Sequence, residues 1–395
     1  MTEIPLGTAL PLPGSFRIRE VSNLTTLRDR GTLAPPLGPL AAFTGTFQGN
    51  GFNLIFRPDS TASPTTLPTP LPPPKPGDLP RDNLLELNLT SETLEFQPSL
   101  GSVPNRGTGT QEDIFLNGVP YLQKINDVTV PSQPVGIHFE PGIWLAVPAT
   151  TDPKEGPTVA RMASIPHGTT VEAQGTSAIA PGPPTIPAVD ITPFLISNGT
   201  KIPFPSQKVA NEVTARIPQN LAPFVAAGTI TQDLLDDPNS LLRKHIKSQT
   251  ITSTTTISIS SVAAPPLTGG GTDNIAFLQG DGTGPNAQTV RMDATFWIET
   301  VEYTIAVPVY EPGQPPLVIH AQTGAEGQPV PSFLVNPQVP IREPRYIRVT
   351  APQIQYSQEV FLNFSHLSWP HVSVATLVPA NPIPIPPSVW AAPAG

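Results

Sequence analysis

The chain contains no cysteine. That absence removes disulfides, thiolate nucleophiles and cysteine-ligated zinc or iron–sulfur clusters, and it leaves the redox compartment undefined. Charge is also scarce: Asp, Glu, Lys and Arg make up 13% of the 395 residues, against roughly 25% in ordinary soluble domains. The net charge of −9 comes with no sustained basic run. The densest clusters, Arg243, Lys244, His245, Lys247 and Arg342, Arg345, Arg348, are not interleaved with aromatic residues, so no nucleic-acid partner is expected. No apolar run approaches membrane-spanning length, and the opening MTEIPLGTALPLPGSF lacks a basic n-region and an unbroken apolar h-region. The expectation is a cytoplasmic protein with no membrane span. Neither a Gly-x-Ser-x-Gly elbow nor a recognisable carboxylate pair points to a hydrolase.

Proline is what the chain has in excess, at 55 residues, far above the roughly 5% norm. Proline interrupts helix interiors and central strands, so long helices should be few and connections many. The apolar runs between the prolines are rich in Val, Ile, Phe and Thr, which favours a packed β-rich core over disorder. A single domain over 41–380 is expected, with an irregular leader at 1–40 and a proline-rich tail at 381–395 that is surface-hugging or mobile. The segment TPLPPPKPGDLP reads as a stiff polyproline II connection.

The strand candidates follow in order. FTGTFQGNGFNLIFRP at 43–58 carries three glycines among aromatics, which suits a bent strand whose backbone passes close to another element. LLELNLTSETLEF at 84–96 alternates as a hairpin with Thr90 to Glu92 at the turn. GIHFEPGIWLAVP places His138 and Glu140 on one strand face, with Pro141 and Gly142 bending it. That pair is either half a metal site or a hydrogen bond holding a strand edge. Residues 159–177 read as a hairpin with Pro166, His167 and Gly168 at its exposed tip. The helical section is expected within 209–249, its clearest helix opening at Asp237. The β-branched run at 250–262 and the long apolar run at 289–307 are further strands. Many antiparallel strands with large loops predict a mainly β fold: an antiparallel closed β-barrel with long proline-rich loops and a small helical insertion around 178–270.

The stretch with most chemical promise is FLNFSHLSWPHVSVATLVP at 361–379. At strand period Trp369, His371, Ser373 and Ala375 share one face, leaving room beside an imidazole for a flat ligand. The competing reading is a half-buried packing histidine. His366 and His371 are five apart, so an unbroken strand can turn only one of them inward.

Several motifs together resemble the nitrobindin-like family of heme-binding β-barrels, related in shape to lipocalins and fatty-acid-binding proteins. LAAFTGTFQGNGF resembles the family's first strand, with Phe47 standing where the family has tryptophan. GIHFEPGIWLAVP resembles its central His-x-Glu-x-Gly strand, ARMASIPHGTTVEAQGTS the hairpin after it, and WPHVSVATL its closing strand. The resemblance covers about half the chain and implies heme b held by His371 as axial metal ligand. It places His138 at the distal side or rim, and Trp369, Ser373 and Ala375 around the cofactor. Nitric oxide, peroxynitrite or peroxide reactivity would follow. Two other readings stand beside it: a heme-free, lipocalin-like barrel that binds or converts an apolar small molecule, and a structural or interaction protein with proline-rich arms. Each is compatible with a homo-oligomer.

Overall fold

The computed structural model describes residues 34–262, 269–279, 286–322, 325 and 327–390. The expected irregular leader lies, as far as residue 33, outside the described residues. Ten strands form one antiparallel sheet: β1 (Gly45–Pro58), β2 (Asn83–Phe96), β3 (Ile114–Asp127), β4 (Val135–Val147), β5 (Thr158–Ile165), β6 (Thr169–Pro181), β7 (Thr250–Ser260), β8 (Gln288–Val307), β9 (Arg345–Phe364) and β10 (Leu367–Pro379). Each strand pairs with the next in sequence, and β10 pairs back onto β1. The sheet is therefore a closed up-and-down barrel, which leaves no long unpaired edge.

Closure at β1 and β10 depends on glycine. A Cβ on Gly49 or Gly51 would lie 2.0 Å from the carbonyl oxygens of Thr376 and Val374. These glycines mark a close backbone approach, and the neighbour is the last strand of the barrel.

The expected hairpin at 84–96 is instead one uninterrupted strand, β2. Thr90 and Glu92 looked like turn residues because they are polar, yet both are buried inside the barrel, where they bond to each other. A tight turn does occur where none was expected. Ser365 and His366, at φ 49° and 63°, make the two-residue connection between β9 and β10. Positive φ at both central positions matches the twist of a hairpin, and it is usually signalled by Asn or Gly.

The interior is packed at one end. Phe43, held by a short 3-10 helix at Gly38–Ala42, stacks on Phe96 at 4.5 Å, and Trp144 meets Phe296 edge-on at 5.0 Å. Ile257, Ile259, Met292 and Ala294 complete this filling.

Two outer coats cover the barrel. The connection between β6 and β7 carries short helices α1 (Ala222–Ala226), α2 (Gln232–Asp236) and α3 (Asn239–Ile246). It is organised by Arg216, whose buried guanidinium donates to the carbonyls of Ser206, Lys208, Val209, Asn211, Pro218 and Gln219. The stretch 178–270 therefore divides: residues 250–260 are a barrel wall, and 182–249 lie outside it. His245 of α3, a member of the basic cluster at 243–247, is buried and bonded to Thr376 at 2.9 Å. Burial, with Lys244 nearby, depresses its pKa to about 4.

The second coat packs the far ends of β8 and β9 against a small sheet of Leu317–His320, Ser332–Val335 and Ile383–Pro384. The tail as far as Trp390 belongs to this second core, with Trp390 itself buried. Among the described residues no helix is long and apolar enough to cross a membrane.

Candidate functional site

The other end of the barrel is hollow, with a cavity of about 510 Å³. That lies within the ~300–1,000 Å³ typical of small-ligand sites. Apolar lining comes from Ile55, Ile125, Ile137, Ile165, Val360 and Leu362. Interleaved with these are Asn53, Asn88, Gln123, Tyr356, Gln358 and Ser373, together with three histidines, His138, His167 and His371.

His371 enters from β10, directly across from Val360 of β9. Asn53 of β1 donates from Nδ2 to Nε2 of His371 at 2.8 Å and to Oγ of Ser373 at 2.7 Å. Asn88 in turn donates to Oδ1 of Asn53 at 3.2 Å. With the Asn53 amide in this orientation, Nε2 of His371 accepts and its proton sits on Nδ1. Burial, reinforced by His138 and His167, depresses the His371 pKa to about 3, and the ring is neutral at any ordinary pH.

His138 and His167 stand together at the rim, their ring centres 6.4 Å apart. His138 Nε2 bonds Glu140 at 3.1 Å, and His167 Nε2 bonds the carbonyl of Ile137 at 3.2 Å. Their strands explain the placement: His138 and Glu140 are two apart on the inward face of β4, and His167 caps the β5–β6 hairpin.

Beneath the cavity lies a buried ion pair. Glu140 accepts from Arg161, Tyr121 and His138, and the Arg161 guanidinium is 5.3 to 5.6 Å from the ring centres of Phe296, Tyr121 and Trp144. Burial alone would push the carboxyl up, but Arg161 and the two further donors hold it at about 2. Arg161 also donates to Tyr121 Oη at 2.8 Å and to Gln358 Oε1 at 2.7 Å. A second carboxyl, Glu92, accepts from Tyr356 at 2.7 Å. Burial raises its pKa to about 7 against the opposing hydrogen bonds from Tyr356, Thr90 and Gln123.

Of the residues singled out by sequence, His371, Ser373 and His138 border one cavity. Ala375 is fully buried and faces Gly51 and Tyr356 in the two neighbouring strands, outside the cavity lining. Trp369 is absent from the lining too. Its ring stacks on Phe364 at 4.6 Å and packs against Phe56 and Phe204, and its Nε1 donates to the Phe364 carbonyl at 3.0 Å. Strand period alone could not reveal this, because the ring turns to the covering connection at the strand's end.

Asn53, Gln123, Arg161 and Gln358 are site residues that the sequence reading missed. The signal available was alternation of polar with apolar residues, as in Tyr356, Gln358, Val360, but inside a barrel the polar set can face inward. Among the described residues no group of three or more His, Asp or Glu is placed to hold a metal ion.

No family model matches the chain, and no curated protein matches it. Among solved structures it is similar to "Crystal Structure of Rv2717c from M. tuberculosis", at 10% identity and a TM-score of 0.33, over 89% of this chain and 100% of that one.

Proposed function

We propose that the barrel binds an uncharged small molecule with an apolar body in the cavity between His371 and the His138–His167 rim. The observation that carries this reading is the cavity itself: walled by Ile, Val and Leu, studded with amides and hydroxyls, and with no unpaired carboxylate, lysine or arginine among its described lining residues. Glu86, the carboxylate in the lining, is paired with Arg57 at 2.5 Å. A charged ligand would enter without a counter-charge, at a high desolvation cost. Titration with Nile red tests the reading. Wild-type protein should give blue-shifted emission that saturates, and Ile125→Trp, which fills the cavity, should abolish it while the protein stays folded. Absence of a response in wild type would overturn the proposal. Organic extraction and mass spectrometry of freshly purified protein should then identify the resident molecule.

Heme bound through His371 is a second reading. One observation favours it: the ring is neutral and reaches the cavity, the state in which imidazole binds iron. One observation weighs against it: the Nε2 lone pair already accepts from Asn53, so ligation through that atom requires the buried Asn53 amide to give up its bond. Hemin added to purified protein decides between the readings. A Soret band lost in His371→Ala supports heme, and a spectrum of free hemin removes it.

A further inference from the structure

Among the described residues, the side chains of Gln358 and His371 face this cavity with donors that have no protein partner, and the buried ion pair beneath it determines the direction of one of them. Gln358 accepts from Arg161 through Oε1. That bond comes from a buried cation, so it is charge-assisted and sets which way the amide lies. Its Nε2 group is thereby left to donate. Among the described residues Nε2 has no protein acceptor, and it is not among the sealed, orphaned polar atoms either, so it is open to the cavity. For His371 the Asn53 amide sets the tautomer: with Nδ2 of Asn53 donating to Nε2, the proton resides on Nδ1, and Nδ1 has neither a described partner nor a sealed position.

The two donors are neighbours. Gln358 of β9 lies directly across from Ser373, and His371 is two residues before Ser373 on β10. Residues in this diagonal relation share a face with Cα atoms about 7–8 Å apart, within reach of one atom lying between two long side chains. Ser373, on the same face, is held by the Asn53 amide, from which its Oγ accepts.

Building on the ligand-site reading above, we infer that Gln358 and His371 form a donor pair that selects ligands carrying a carbonyl-type acceptor oxygen. Both donors are neutral, so the pair suits a ketone, lactone or amide oxygen rather than a carboxylate. The Arg161–Glu140 pair gains a role here: it aligns Gln358 as a donor, making Arg161 a positioning residue. A ligand lacking the acceptor would desolvate both donors and leave them unpaired, which is the strong form of discrimination against it.

The test uses a matched pair of flat probes, flavone with its ring carbonyl and flavan without it, measured by calorimetry on the full chain, with Nile red and laurate as controls. Wild type should bind flavone roughly tenfold more tightly than flavan, the scale of one or two hydrogen bonds in a dry site. Gln358→Leu should erase the preference. Gln358→Glu, which keeps a partner for Arg161 but presents no donor, should also erase it, so the outcome does not depend on one variant folding well. Equal binding of flavone and flavan by wild type, with Nile red still bound, would overturn the donor-pair inference and leave the ligand site standing. Laurate bound more tightly than flavone would overturn it in favour of a carboxylate ligand. Failure of all probes, Nile red included, would remove the ligand site as well.

Discussion

The barrel has two halves that solve the problem of polar residues indoors in opposite ways. In the closed half, Arg161 and Glu140 are both buried and paired; Tyr121 bonds both, Gln123 and Gln358 accept from Arg161, and His138 bonds Glu140. In the open half the described lining carries an imidazole with its pKa near 3, amides and hydroxyls, some of whose donors remain free, and its carboxylate, Glu86, is paired with Arg57. Charge is tolerated where geometry surrounds it completely, and neutral groups are placed where a partner has yet to arrive. A ligand therefore meets hydrogen-bonding capacity without meeting a bare charge.

The sharpest way to break this contrast is to remove one member of the buried pair. Arg161→Met should destabilise the protein by about 3–5 kcal/mol, because Glu140 is left as an uncompensated buried charge. The double variant Arg161→Met with Glu140→Leu should recover much of that loss, as judged by urea unfolding midpoints. If the double variant is no better than the single one, packing rather than charge compensation holds the closed half together.

Trp369→Ala should cost about 3 kcal/mol, the scale of deleting a fully buried aromatic side chain. Folded Trp369→Ala should still bind Nile red with wild-type affinity, because the ring lies outside the cavity. Loss of dye binding at full folding would place Trp369 in the site after all.

A smaller, pH-dependent effect is expected at Glu299, under the outer coats. Burial raises its pKa to about 8 despite a hydrogen bond from Gln353 at 2.6 Å, and its Oε1 has no partner. A carboxyl whose folded pKa exceeds its unfolded value near 4.5 binds more protons in the folded state across that window. Stability therefore falls as pH rises from about 4.5 to about 8. Glu299→Gln should narrow the difference in melting temperature between pH 5 and pH 9, chiefly by raising the value at pH 9. An unchanged difference would show that Glu299 does not titrate in this range.

The smallest stability effect should come from the open half. His371→Ala should cost only about 1 kcal/mol, the net value of one hydrogen bond, because the ring borders a space rather than filling one. Its effect on probe binding should be much larger than its effect on the urea midpoint. The reverse result would make His371 a packing residue.

Much of the fold could be read from residue patterns. The β-branched run at 250–260, the paired stretches around Pro166 to Gly168, and the glycines of β1 all have local physical causes that act on any chain with those residues. The errors have local causes too. Thr90 to Glu92 resemble a turn only if polar residues must lie outside, and Ser365–His366 make a positive-φ turn without the usual Asn or Gly.

The sequence by itself determined that this protein would be β-rich, free of cysteine chemistry and low in charge, and that His138 and Glu140 would share a face. Only the tertiary structure decided which face of each strand is interior. Period two separates the faces of a strand without naming either one. That choice depends on what covers the outside, here the 182–249 connection and the second core, and on barrel closure bringing Asn53 to His371 across 318 residues of chain.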